Sequence, residues 1–269
     1  MITSTGNGQI KNIIQLNQKA KARREQGLFV AEGIKMFLEA PLEWIEKVYI
    51  AESLKDSQQI ASKTARVPCE IVADSVFAQM SDTKTPQGVL CLLKQPGYTL
   101  EEILPETGEP LILVLEDLQD PGNMGTILRT AEGAGVNGIL CSKNTVDIFN
   151  PKVIRSTMGS VYRMPFFYTE DLEAAVKELK QRGIRTYAAH LKGEKRYDQE
   201  SYCKGSAFFI GNEGKGLSPR LTSLADGLIR IPMAGQVESL NAALAAGILM
   251  YEAARQREFR QGGCSGWNM

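Results

Sequence analysis

Beyond Leu111 the chain alternates two kinds of hydrophobic pattern. Short, nearly continuous apolar runs predict strands: "LILVLEDL" (111–118), "VNGILCS" (136–142), "IRTYAAHL" (184–191), "GSAFFIGN" (205–212) and "GLIRIPM" (227–233). Stretches with apolar positions every three or four residues predict helices: "NMGTILRTAEGAG" (123–135), "DLEAAVKELKQRG" (171–183), "LSPRLTSLA" (217–225) and "SLNAALAAGILMYEAARQREF" (239–259). Such alternation predicts an α/β fold, a mostly parallel sheet with helices on its faces. Ligands of sheets of this kind sit beyond the carboxyl ends of the strands.

The first hundred residues are patterned differently. A basic entry (Lys19, Lys21, Arg23, Arg24) precedes "GLFVAEGIKMFLEA", and "KVYIAES", "CEIVADSVFAQMSD" and "GVLCLLK" follow. Pro96, Gly97, Pro105, Gly108 and Pro110 then gather in one stretch, the punctuation of a linker. We expect an N-terminal domain over 1–97, a linker over 98–110, a second domain over 111–260 and a tail over 261–269.

Composition narrows the chemistry. With 269 residues, 43% of them hydrophobic, two domains can each bury a core. The formal net charge is zero, so there is no global field for indiscriminate phosphate binding, and any nucleic-acid contact must be local. Cys69, Cys91, Cys141, Cys203 and Cys264 are odd in number and never form C-x-x-C, which argues against a disulfide framework and against a zinc site. The opening "MITSTGNGQI" has no charged region leading into an apolar run, and no stretch approaches the roughly 18 apolar residues of a membrane span. The expectation is a soluble cytoplasmic protein with no membrane and no metal partner.

A G-x-G-x-x-G occurs at Gly133, Gly135 and Gly138, but it ends a predicted helix and leads into a strand, the reverse of a dinucleotide fingerprint. Three other stretches place polar groups at strand ends. "DPGNMGTILRTAEGAG" carries Asn123 and Arg129; "FFIGNEGKGLS" carries Glu213 in a loop with Gly211, Gly214 and Gly216; "IRIPMAGQVESLNAALAAG" carries Ser239 and Asn241. Individually each has an ordinary reading, Asn123 and Ser239 as helix caps, Glu213 as a loop acid at a helix start, Arg129 as a surface cation. Three such loops in one half-chain point to a shared site.

These stretches, with the third extended to "IRIPMAGQVESLNAALAAGILMYEAARQR", resemble the three ordered motifs of the SpoU/TrmH family of RNA ribose methyltransferases, in the SPOUT superfamily. "RREQGLFVAEG" further resembles the start of the small substrate-binding domain, ribosomal-protein-like in its α/β fold, that many such enzymes carry. The resemblance implies a C-terminal deep trefoil knot, a homodimer, and S-adenosylmethionine as cofactor. It implies cofactor contacts at Gly211, Gly216, Ile231, Met233 and Leu240, and a catalytic surround of Asn123, Arg129, Glu213, Ser239 and Asn241. The implied reaction is methylation of a ribose 2′-hydroxyl in RNA, first of all ribosomal RNA. Transfer RNA as substrate, and a non-catalytic RNA-binding or assembly protein on the same fold, are the alternatives.

The residues themselves agree with that chemistry. Gly211, Gly214, Gly216 and Gly235 let backbone approach a ligand closely. A sulfonium makes its methyl carbon electrophilic, so the protein needs mainly to hold a nucleophile in line. A guanidinium is a poor base, and clamping a phosphate or stabilising a developing alkoxide suits Arg129 better. The single histidine, His190, reads as structural or as a lining of the cofactor loop. For RNA contact the candidates are the basic entry and Lys152, Arg155 and Arg163 around "NPKVIRSTMGSVYR".

Overall fold

The structure, a computed structural model, describes residues 1–260, with side chains to Arg257. The expected tail and Cys264 lie outside the described residues. In chain order the elements begin α1 (Gly8–Gln18), α2 (Ala20–Gln26), β1 (Leu28–Glu32), α3 (Ile34–Glu39), β2 (Ile45–Ala51), α4 (Gln58–Thr64), β3 (Cys69–Val72), α5 (Asp74–Met80) and β4 (Val89–Lys94). There follow β5 (Leu111–Leu115), α6 (Pro121–Gly133), β6 (Gly138–Ser142), α7 (Pro151–Thr157), β7 (Phe166–Thr169), α8 (Leu172–Gln181), β8 (Arg185–Ala189), β9 (Lys195–Arg196), β10 (Ser206–Ile210), α9 (Pro219–Leu224), β11 (Gly227–Arg230) and α10 (Ala242–Arg260). No helix among the described residues is long and apolar enough to cross a membrane.

These elements form two compact units, one of Met1–Gly97 with Asp147–Tyr162, the other of Tyr98–Val146 with the chain from Arg163 onward. In the first unit the strands run in the order β1-β4-β2-β3, with β4 antiparallel to β1 and β2, and β3 parallel to β2. Helix α1 starts where the Asn7 side chain accepts the Gln9 amide, and it buries Ile10, Ile13 and Leu16 on one face against Val30, Tyr49 and Phe77. Arg23, expected among the phosphate-binding cations, is only 3% exposed. Its guanidinium donates to the Asp147 carboxylate at 2.7 and 2.9 Å and to the Leu16 carbonyl at 2.6 Å, because a buried charge must be paired. Lys19, Lys21 and Arg24 remain exposed.

That ion pair also shows why Asp147–Tyr162 joins the first unit, although the sequence pattern assigns it to the second. Phe149 packs on Phe29 with ring centroids 4.8 Å apart, and the Tyr162 hydroxyl donates to the Met36 carbonyl. Arg155 is ion-paired with Asp82, and Arg163, in the second unit, with Glu132, so neither stands as a bare phosphate ligand.

The second unit is a seven-stranded sheet, β7-β6-β5-β10-β8-β11-β9, in which every pairing is parallel. On one face Ile112, Val114, Phe209 and Ala188 pack against Val176 and Leu179 of α8. Within the stretch read as a linker, Leu100 and Ile103 belong to this core, being 7% and 0% exposed. The G-x-G-x-x-G has structural reasons only. Gly133 ends α6, Gly135 takes φ +71°, and a Cβ on Gly138 would lie 2.5 Å from the Ile103 carbonyl oxygen. Strand β7 and helix α7 carry no pattern in the sequence, since runs of four and seven residues are too short to show a period.

Candidate functional site

Strand order sets where a ligand can sit. From β5 the sheet runs to β6 and β7 on one side and to β10, β8 and β11 on the other, so the loops leaving the carboxyl ends of β5 and β10 part at a topological switch point. Beside it lies a cavity of 870 Å³, walled by residues at and beyond the ends of β8 (189–192), β10 (210–217) and β11 (229–233 and 238–240), and by the start of α10. All five expected cofactor residues, Gly211, Gly216, Ile231, Met233 and Leu240, line it, as do Glu213, Ser239 and His190. The volume falls within the roughly 300–1,000 Å³ of small-molecule sites.

The loop after β10 folds back on itself. Asn212 and Gly216 exchange backbone hydrogen bonds of 3.1 and 2.8 Å, and Gly216 takes φ +68°. This closure explains Gly211 differently from close approach to a ligand, because a Cβ there would lie 2.2 Å from the Gly216 carbonyl carbon. Glycine is needed at 211 so that the loop can close.

Glu213 projects from this loop toward the start of α6. Its Oε1 accepts from Asn123 Nδ2 at 3.0 Å and from the Asp120 amide at 2.9 Å, and its Oε2 accepts from the Gln119 amide at 3.0 Å. Asp120 is the cap of α6, accepting the Asn123 amide at 2.7 Å, so Asn123 is not the cap and its side chain is free for other partners. Asn123 Oδ1 in turn accepts from Asn241 Nδ2 at 2.8 Å. Asn241, rather than Ser239, caps the last helix, with Oδ1 accepting from the Ala243 and Leu244 amides. Three side chains from three loops thus form one hydrogen-bonded line, Glu213 to Asn123 to Asn241. Partial burial pushes the Glu213 carboxyl up, but the hydrogen bonds from Asn123 and from the Asp120 and Gln119 amides outweigh it and hold the carboxyl below its ordinary value. Glu213 is therefore an anion and an orienting acceptor, unsuited to take a proton at neutral pH.

Two expected residues stay outside this line. Ser239 lines the cavity, exposed, with no hydrogen bond among the described residues. Arg129 lies six residues along α6 from Asn123, about 120° around the helix axis. It is exposed and has no ion pair or hydrogen bond among the described residues. Lys192, Lys215 and Arg230, three further cations on the cavity wall, are given no role from the sequence: Lys215 and Arg230 lie inside the quoted stretches but are not singled out there, and Lys192 lies in a loop without a motif.

Known proteins resemble this chain in sequence and in fold. The sequence model of the SpoU rRNA Methylase family matches residues 110–251, more than half of the chain. The chain belongs to the SpoU rRNA methylase family. Ahead of the SpoU region, the model of an MRM3-like substrate binding domain matches residues 7–91. Among SpoU-type relatives, the 23S rRNA guanosine 2′-O-methyltransferase RlmP of Bacillus subtilis is 32% identical, over 93% of this chain and 97% of that protein. An rRNA methyltransferase from Sinorhizobium meliloti, solved with AdoMet bound, is 36% identical with a TM-score of 0.82, over 94% of this chain and 97% of that one. The SpoU methyltransferase AviRb of Streptomyces viridochromogenes, solved in complex with its cofactor AdoMet, is 25% identical with a TM-score of 0.86, over 94% and 98% of the two chains.

Proposed function

We propose that the protein is an S-adenosylmethionine-dependent RNA methyltransferase that modifies a ribose 2′-hydroxyl, with ribosomal RNA as substrate. The observation that carries this reading is the line Glu213–Asn123–Asn241 running beside a cavity whose walls include the loops that carry Glu213 and Asn241. The cavity fits an adenosyl group in volume and in its apolar wall of Ile210, Ile231, Met233 and Leu240. When bound there, the cofactor supplies an electrophilic methyl carbon.

The chain's own work is then positioning. Glu213, fixed as an anion, holds the Asn123 amide in one orientation, and Asn241 holds its oxygen, leaving the second Asn123 amide hydrogen to orient a substrate oxygen. Arg129, with no partner among the described residues, is the cation for the adjacent phosphate or the developing alkoxide. The exposed Lys19, Lys21 and Arg24 are the proposed phosphate contacts of a substrate-binding domain over residues 1–97, and the exposed Lys152, from the segment that joins the first unit, is a fourth. Relatives named for rRNA and the match to a substrate binding domain support this reading and a cytoplasmic site of action.

The homodimer belongs to the same proposal. Leu191, Val237 and Leu244, at 67%, 62% and 60% exposure, lie in the cavity loops and at the start of α10, and a second copy would cover them. The trefoil knot does too, supported by β11 lying between β8 and β9, strands adjacent in sequence. The test is to map ribose methylation in ribosomal and transfer RNA from cells with and without the gene, and to measure mass in solution by light scattering. A ribosomal site that disappears supports the reading; unchanged maps for both RNA classes overturn it.

A further inference from the structure

The loop that walls the cavity and the loop that carries Asn123 are joined by a second side chain, which the motif reading leaves without a role. Asn212 Oδ1 accepts from the Gly214 amide at 2.9 Å and from the Lys215 amide at 3.0 Å, which shapes the turn after Gly211. Its Nδ2 donates to the Asp117 carbonyl at 2.8 Å, across to the loop after β5. Every polar atom of this side chain is thus engaged, and its two ends serve two different loops.

The Asp117 carbonyl is aimed by an unusual backbone. Asp117 takes φ +53°, one of two non-glycine residues with positive φ among the described residues. It is held there from both sides, because its amide donates to Ser142 Oγ at 2.8 Å and its carboxylate accepts from the same hydroxyl at 2.7 Å. Ser142 is itself buried, beside Thr145. Left-handed backbone at a non-glycine residue costs free energy and persists where the surroundings over-determine it. Here it turns the carbonyl toward Asn212, and the Gln119 side chain donates to the same oxygen at 3.1 Å.

We infer that Asn212 is a positioning residue that makes the loop 211–216 and the loop 117–123 one piece, so that Glu213 meets Asn123 at a fixed distance while the cavity wall stays in register. The inference rests on the methyltransferase reading for its kinetic part and on the hydrogen bonds alone for its structural part. Asn212 acts through Glu213 and touches no reacting atom. Without its grip on Asp117, Glu213 is tethered to the second loop only by its own three hydrogen bonds, on a turn that can shift.

Asn212→Asp separates the two ends of the side chain, since it keeps the acceptor for the turn and replaces the donor with an oxygen that repels the Asp117 carbonyl. Turnover is expected to fall about 10²-fold, the scale of a misplaced catalytic group, while cofactor affinity stays within about threefold. In a Glu213→Gln background the same change is expected to cost nothing further, because the route it acts through is already broken. Hydrogen exchange at the Gln119 and Asp120 amides is expected to quicken, with the melting temperature held. Asn212→Ala loses both ends, and both turnover and cofactor affinity are expected to fall. Wild-type turnover in Asn212→Asp, a parallel loss of turnover, cofactor affinity and melting temperature, or full additivity with Glu213→Gln would each overturn the inference. Should the wild-type enzyme transfer no methyl group to RNA, the exchange measurement still decides: unchanged rates at Gln119 and Asp120 refute the tie itself.

Discussion

Two loops wall the same cavity and are built in opposite ways. Residues 211–216 are held by the exchanged bonds of Asn212 and Gly216, by the Asn212 side chain and by the three bonds to Glu213. Residues 232–240 make no hydrogen bond among the described residues, although they supply Met233, Ser239 and Leu240 to the cavity wall. Arg129 belongs with the second kind, exposed and without a partner among the described residues. The difference separates what is preorganised from what a ligand must complete. A loop held by its own hydrogen bonds keeps its shape alone, while one without them takes its shape from what binds.

The largest effect is expected at the preorganised loop. Gly211→Ala places a methyl group inside the backbone of Gly216 and Leu217, so the turn cannot close. Cofactor binding measured by calorimetry should fall at least 10²-fold, because both loop walls lose register. Gly235→Ala, where a Cβ meets nothing within 4 Å, should bind as the wild type does, and equal losses at both glycines would erase the contrast.

Next comes Arg129→Ala, expected to lower turnover about 10²- to 10³-fold, the scale for removing one electrostatic contact to developing charge. Having no partner to leave behind, the variant should keep its melting temperature and its cofactor affinity. Arg129→Lys should recover little, because an ammonium does not reproduce the planar fork. A folded, cofactor-binding Arg129→Ala protein with normal turnover removes this residue from the proposed mechanism.

A smaller effect is expected in hydrogen exchange. Saturating cofactor should slow exchange in 232–240 by about tenfold or more and leave 211–216 little changed, as expected if only the first segment is ordered by the ligand. Equal protection of both segments would show that both loops respond alike.

The smallest effect concerns pH. The Glu213 carboxyl is held below its ordinary value in the folded protein, so its contribution to stability is fully present above the unfolded value of about 4.3 and is lost as pH falls through the folded value. Glu213→Gln should therefore flatten a shallow acid-side decline in melting temperature and leave the neutral plateau in place. An unaltered acid limb would mean that Glu213 is not held as the hydrogen bonds imply.

What was legible beforehand is local. The parallel α/β sheet showed in the alternation of apolar runs with amphipathic stretches, because each run must bury itself in the sheet. The residues that line the cavity lay at strand ends in glycine-rich loops, where the chain pattern alone marks a site. The wrong readings came from treating neighbours in sequence as neighbours in space. Arg23 stood among lysines and was read with them, yet a distant carboxylate, Asp147, draws it into the interior. Leu100 and Ile103 sat among prolines and glycines, yet their side chains fill the core beneath β6 and β5.

The sequence by itself determined the class of sheet, the order of its elements and the three stretches that meet at the cavity, since periodicity and turn chemistry act over a few residues. Tertiary structure decided which polar groups pair. Glu213 and Asn123 are 90 residues apart, Asn123 and Asn241 are 118 apart, and Asn212 finds Asp117 across 95. A hydrogen bond is made within about 3 Å regardless of chain separation, and the register of β5 against β10, with α10 packed on α6, brings those groups that close.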